Sequence, residues 1–152
     1  MIMNNTAKMD ILGRMGEKYV GNVLAQEGVI VEHATNHFDS EKDMIGDGKT
    51  VEVKTQVPFI IEKAFSIKNN QLMKCRGVDV LYFISVPAPN HSFQHDGWLF
   101  RVDPKSFVTK TRKTKDGRFM TLIPINQPAV TPIHKIPESV IQDMMKYTVS
   151  GY

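Results

Sequence analysis

The sequence predicts an α/β fold in which a central mixed β-sheet is flanked by helices, formed as a single domain over residues 1–152. Three observations predict it. A long segment with an apolar stripe at helical spacing opens the chain. A nearly all-apolar run, Val78 to Val86, has the character of a strand buried on both faces. Short β-branched runs divided by glycine turns lie around it.

The first helix is expected from about Ala7 to Gln26, where Leu12, Met15, Tyr19, Val23 and Leu24 form the stripe. Gly13, Gly16 and Gly21 each cost it about 1 kcal/mol against Ala, which points to close packing against another backbone. Gly28 is a natural stop. Val29–Ala34 reads as a strand. Asp43-Met44-Ile45 and Thr50–Lys54 read as a hairpin across Gly46-Asp47-Gly48-Lys49. Asn69 and Asn70 are expected to cap a short helix running through Arg76. After the buried strand come another strand, Gly97–Val102, and a second hairpin, Phe107 to Ile123, turning at Lys115-Asp116-Gly117. Pro124, Pro128, Pro132 and Pro137 mark an irregular stretch, and a last helix is expected from Glu138 to about Tyr147.

Composition narrows the function classes. At 41% hydrophobic and 23% charged, the 152 residues can build one core. No run approaches the roughly 18 apolar residues of a membrane span, and the first residues lack the basic-then-apolar pattern of a signal peptide. A single cysteine, Cys75, excludes an internal disulfide and a multi-cysteine zinc site. It fits a reduced, cytoplasmic setting, and its place at the end of a short helix suggests an inert thiol. His33 with His37, and His91 with His95, lack a companion ligand at zinc spacing. No glycine-rich phosphate loop is present, which argues against a nucleotide-driven motor. The net charge of +3 and pI near 9.0 are compatible with a polyanionic partner.

The sharpest local pattern is Asp43 followed by Glu52-Val53-Lys54. Alternate side chains of a strand share a face, so Glu52 and Lys54 point together while Val53 points into the core. Across the hairpin from Asp43, two carboxylates and an ammonium then gather at one end of the sheet. Neighbouring carboxylates repel, and a divalent cation relieves the repulsion. Mg²⁺ prefers hard oxygens and keeps waters, one of which can serve as nucleophile. Lys54 would offset charge on a phosphate and orient that water. A short Glu-x-Lys also fits an exposed strand carrying an ordinary ion pair. Asp39 and Glu41 leave the choice of metal-binding acid open.

Asp43 with Glu52-x-Lys54 resembles the PD-(D/E)XK nuclease superfamily, which includes restriction enzymes, phage endonucleases and archaeal-type Holliday junction resolvases. The resemblance covers about residues 11 to 56 and includes Gly16-Glu17 on the first helix, similar to the resolvase branch. One position departs: Lys42 stands where the superfamily often has proline. The resemblance implies a restriction-endonuclease-like core with an extra basic hairpin and a C-terminal helix. It implies a catalytic set of Glu17, Asp43, Glu52 and Lys54, with metal at Asp43, Glu52, Val53 and Glu17. The metal would be Mg²⁺, with Mn²⁺ able to substitute. The implied activity is DNA phosphodiester hydrolysis leaving a 5′-phosphate, on branched DNA or at specific sites. A phage origin and a homodimer or higher oligomer are implied too. An RNA-cleaving enzyme, or an inactive DNA-binding or assembly protein on the same fold, are the alternatives.

Candidate DNA contacts follow from charge. The segment from Lys105 to Arg118, most of it in the second hairpin, carries Lys105, Lys110, Arg112, Lys113, Lys115 and Arg118 against Asp116 alone, suited to phosphates or to protecting a sheet edge. Lys68, Lys74 and Arg76 form a second patch. Arg14 and Lys18 share the first helix with Glu17, and Gln56 extends the motif. Val140, Ile141, Met144 and Met145 on the last helix offer either an oligomer interface or core packing.

Overall fold

The computed structural model describes residues 3–35, 42–59, 63–88 and 96–149, without the side chains of Ala34, Thr35, Lys42 and Asp43. The opening stripe forms α1 (Asn5–Gln26), begun by Asn4, whose side chain accepts a hydrogen bond from the Ala7 N–H at 2.8 Å. Its buried positions are Leu12, Gly16, Val20 and Leu24, one every four residues. Gly28 follows with φ +88°, the left-handed conformation that ends a helix.

The remaining elements are β1 (Val31–Thr35), β2 (Lys42–Gly46), β3 (Lys49–Gln56), β4 (Ala64–Ile67), α2 (Asn69–Gly77), β5 (Val80–Ser85), β6 (Trp98–Val102), β7 (Lys110–Lys113), β8 (Phe119–Pro124), β9 (Val130–Lys135) and α3 (Glu138–Met145). Six strands form a mixed sheet in the order β1-β2-β3-β5-β6-β9, in which β3 and β5 are parallel and the other pairs antiparallel. The β2–β3 turn has Asp47 at φ 50° and Gly48 at φ 78°, the positive pair that matches strand twist in a tight hairpin. A smaller sheet, β4-β8-β7, stands beside it.

Strand β5 divides two cores. Tyr82 and Ile84 face α1 and α3, with Val51, Val53, Leu99, Ile141 and Met144. Leu81 and Phe83 face the other way, with Cys75 of α2, Phe65 of β4 and Ile123 of β8. Thus α1 and α3 cover one face of the large sheet, and α2 with the small sheet covers the other. Ile141 and Met144 are 3% and 0% exposed, so these two α3 residues belong to the core and not to an exposed interface. Among the described residues no helix is long and apolar enough to cross a membrane.

Three expectations are corrected. The proline-marked stretch contains a strand, β9, with Pro132 inside it. As the last strand in the order, β9 can hold a residue that lacks an N–H, and the register shifts opposite it between Leu99 and Phe100. Strand β4 is an addition, four residues whose partner β8 lies far along the chain. Asn69 and Asn70 do not cap α2: the N-cap is Lys68, and Asn69 Oδ1 instead accepts from Thr121 Oγ1 at 2.9 Å.

Candidate active site

Strand β3 supplies the site because alternation gives it two unlike faces. Val51 and Val53, both 6% exposed, pack under α1. Thr55 shares that face and meets Gly16, where an added Cβ would stand 1.7 Å from Thr55 Oγ1. Gly16 is therefore required for close approach. Among the described residues the buried Thr55 hydroxyl has no hydrogen-bond partner.

Glu52, Lys54 and Gln56 face α2. The parallel register sets Glu52 beside Leu81 and Lys54 beside Phe83, both in the α2-side core. Lys54 Nζ lies 3.3 Å from Glu52 Oε1, and Lys74 Nζ of α2 lies 3.3 Å from Oε2. The Glu52 side chain is 13% exposed, against 24% for Lys54 and 34% for Lys74. Among the described residues, the Glu52 carboxylate thus lies between two ammonium groups. Gln71, one turn before Cys75, accepts from Lys54 Nζ at 2.8 Å and fixes the direction of that ammonium. Beneath them the Cys75 thiol is fully buried, and desolvation pushes its pKa up to about 11.

Among the described residues, the pairing of β3 with β2 ends at Met44↔Val51. The Thr50 N–H donates to Asp79 Oδ2 at 3.0 Å, and the Val86 N–H donates to the Gln56 carbonyl at 2.9 Å, both on the β5 side. Backbone polar groups alternate along a strand, so those of Val51 and Val53 face β2. Pairing with β2 runs Gly46↔Lys49, Ile45↔Thr50, Met44↔Val51. Asp43 and Glu52 are the next residues on the two strands, where the described pairing has ended. The Val53 carbonyl lies just beyond. The described oxygens at this level are the Glu52 carboxylate and the Val53 carbonyl, hard oxygens of the kind that suits Mg²⁺ or Mn²⁺. The Asp43 side chain, Asp39, Glu41 and His37 lie outside the described residues, as do His91 and His95. Among the described residues no three acidic, imidazole or thiol side chains converge as a metal site.

The other sequence-predicted residues lie on several surfaces. Glu17 is half-buried on α1. One turn later, a Cβ added at Gly21 would stand 3.9 Å from Met44 and from Val31, so Glu17 lies on the flank of α1 nearest β1 and β2. Since α1 covers the sheet face opposite Glu52, the described contacts do not join Glu17 to the Glu52 cluster. Arg14 and Lys18 are exposed on the side of α1 turned away from the sheet, and they too stand apart from the cluster. Gln56 has a structural role. Its Oε1 accepts from the Ser66 N–H at 2.8 Å and its Nε2 donates to the Ser66 carbonyl at 2.9 Å. It thereby clamps the small sheet to the large one.

Lys74 joins the site itself. Arg76 stacks on Phe107, its guanidinium carbon 3.9 Å from the ring centroid. Lys68 is exposed at the start of α2. On the hairpin, Lys110, Arg112, Lys113, Lys115 and Arg118 are all exposed, and Arg118 Nε pairs with Asp116 at 2.8 Å. Gln71 is invisible in the sequence because a glutamine on a short polar helix carries no local signal; only the contact with Lys54 reveals it. No family model matches the chain, and no curated protein or solved structure matches it.

Proposed function

We propose that this protein is a Mg²⁺-dependent DNA endonuclease, hydrolysing phosphodiester bonds of branched DNA or of specific sites by metal-activated water. The observation that carries the reading is the notch where β2 and β3 part at Asp43 and Glu52, with Lys54 held beside it by Gln71. Asp43, Glu52 and the Val53 carbonyl would hold the cation. The bound cation supplies an acidified water and Lewis-acid stabilisation of the phosphate. Lys54 binds the scissile phosphate and orients the attacking water. Lys74, paired with Glu52 at 3.3 Å, would add a second positive charge beside the phosphate. The exposed cations of β7, β8 and their turn hold the backbone of the duplex. The resemblance to the PD-(D/E)XK superfamily supports the same reading through the order Asp43, Glu52-x-Lys54 and the helix Glu17.

A second reading draws on a specific observation. Both carboxylate oxygens of Glu52 already have ammonium partners, as they would in a DNA-binding or assembly protein with no metal. Calorimetric titration with Mn²⁺ separates the two. The nuclease reading expects binding by wild type that is lost in Glu52→Gln and Asp43→Asn. A wild type that takes up no Mn²⁺, with or without DNA, supports the non-catalytic protein.

A further inference from the structure

The hairpin of β7 and β8 carries one feature that phosphate binding leaves unused: Phe119 is 67% exposed at the start of β8. A lone exposed apolar side chain is ordinary. This one is placed among charges of one sign. Arg118 precedes it, and Lys113 is its cross-strand partner, with Nζ 6.0 Å from the ring centroid. Lys115 lies in the turn, where Asp116 pairs with Arg118 at 2.8 Å, whereas Lys110 and Arg112 lie on the other face of the hairpin, Arg112 with its guanidinium 5.3 Å from the Phe59 ring centroid. The last pair of β4 with β8 is Ile67↔Thr121, so Phe119 lies two residues beyond the end of β4. On its own face of the hairpin the series Phe119, Thr121 leads to Asn69 through the 2.9 Å hydrogen bond. Asn69 in turn shares α2 with Gln71 and Lys74, which hold Lys54 and Glu52.

We infer that Phe119 is a stacking platform for an unpaired base, and that the substrate is DNA with a single-stranded or branched segment next to the duplex being cut. The inference rests on the nuclease reading and names its substrate class. An aromatic face among lysines and arginines grips single strands without regard to sequence, since every base has a π-face and the cations follow the phosphates. In an intact duplex the bases are stacked on one another and give Phe119 nothing to meet. The path from Phe119 through Thr121 and α2 to Glu52 spans on the order of 15–20 Å by strand and helix rise.

The test is binding of fluorescently labelled DNA by the full chain in EDTA, where nothing is cleaved. The probes are a fork with two single-stranded arms, a blunt duplex of equal length, and a single-stranded RNA of the fork-arm sequence. The wild type should prefer the fork to the duplex by about fivefold or more. Phe119→Ala should lose roughly tenfold on the fork and little on the duplex, while Phe119→Trp keeps the preference. The exposure of Phe119 makes unchanged melting the expected control. Equal affinity for fork and duplex, or a preference that survives Phe119→Ala, overturns the inference. So does tighter binding of the RNA than of the fork. Failure to bind any of the three overturns it together with the role of the arm. The cation site is tested separately by Mn²⁺ titration, so the two failures are distinguishable.

Discussion

The two faces of β3 are built from adjacent residues and do unlike work. Val51, Val53 and Thr55 meet α1 so closely that only glycine fits at position 16. Glu52 and Lys54, one residue out of step, meet α2 through an ion pair and a hydrogen bond that stay within reach of solvent, and Gln56 on the same face meets Ser66 of β4. Dense packing against α1 holds the strand still. A strand held still on one face can present charged groups at defined positions on the other. The contrast separates what β3 gives to stability from what it gives to chemistry.

The strongest expected consequence of this contrast lies in activity alone. Lys54→Met should lower Mg²⁺-dependent cleavage by about 10³-fold, near 4 kcal/mol of barrier, while melting changes little because the side chain is partly exposed. A variant that melted far lower would show that Lys54 belongs to the packing side after all. Val53→Ala should do the reverse, lowering stability on the order of 2 kcal/mol in chemical denaturation while the folded protein cuts at near the normal rate.

Gly16→Ala should cost about 1–3 kcal/mol by overpacking. Combined with Thr55→Ala, which removes the opposing hydroxyl, most of that loss should vanish. Additive losses would mean that the cost arises elsewhere on α1. A smaller effect is expected at Cys75. With its pKa raised to about 11 by burial, it should resist alkylation at pH 8 in the folded protein and react readily once unfolded. Rapid native reaction would mean that α2 opens away from the sheet.

The smallest effect concerns acid. Thr50 donates to Asp79 from both its N–H and its hydroxyl, and these bonds hold the Asp79 pKa below its ordinary value. A lowered carboxylate pKa adds stability above the unfolded value and loses it as pH falls through the folded one. Asp79→Asn should therefore flatten the acid limb of stability below about pH 4, the carboxylate reference range. An unchanged limb would assign acid sensitivity to other carboxylates.

Much of this architecture is legible in the sequence where one local rule decides the outcome. Helical spacing marks α1, although its buried row runs through Gly16 and Val20, so the stripe read from large apolar residues is slightly misaligned. Gly48 and Gly117 mark their turns, and both have positive φ. The continuous apolar run marks β5. Strand β9 is obscured because proline reads as a breaker, and a strand at the end of the sheet escapes that rule. Strand β4 is too short to announce itself, and its pairing with β8 is set by distant contacts. At the candidate site, Glu52 and Lys54 are readable from the motif. Gln71 and Lys74 reach them only because α2 lies across that face, and the sequence motif does not encode that crossing.

The decisive experiment for the proposed active site is nicking of supercoiled plasmid and of a synthetic four-way junction, with Mg²⁺ and with EDTA, by wild type and Glu52→Ala. Wild type should cut only with Mg²⁺ and Glu52→Ala should not cut at all, with the junction preferred if branched DNA is the substrate. Cutting that persists in EDTA or in Glu52→Ala would contradict the assignment, and failure of the folded wild type to cut the junction would contradict branched DNA as the substrate.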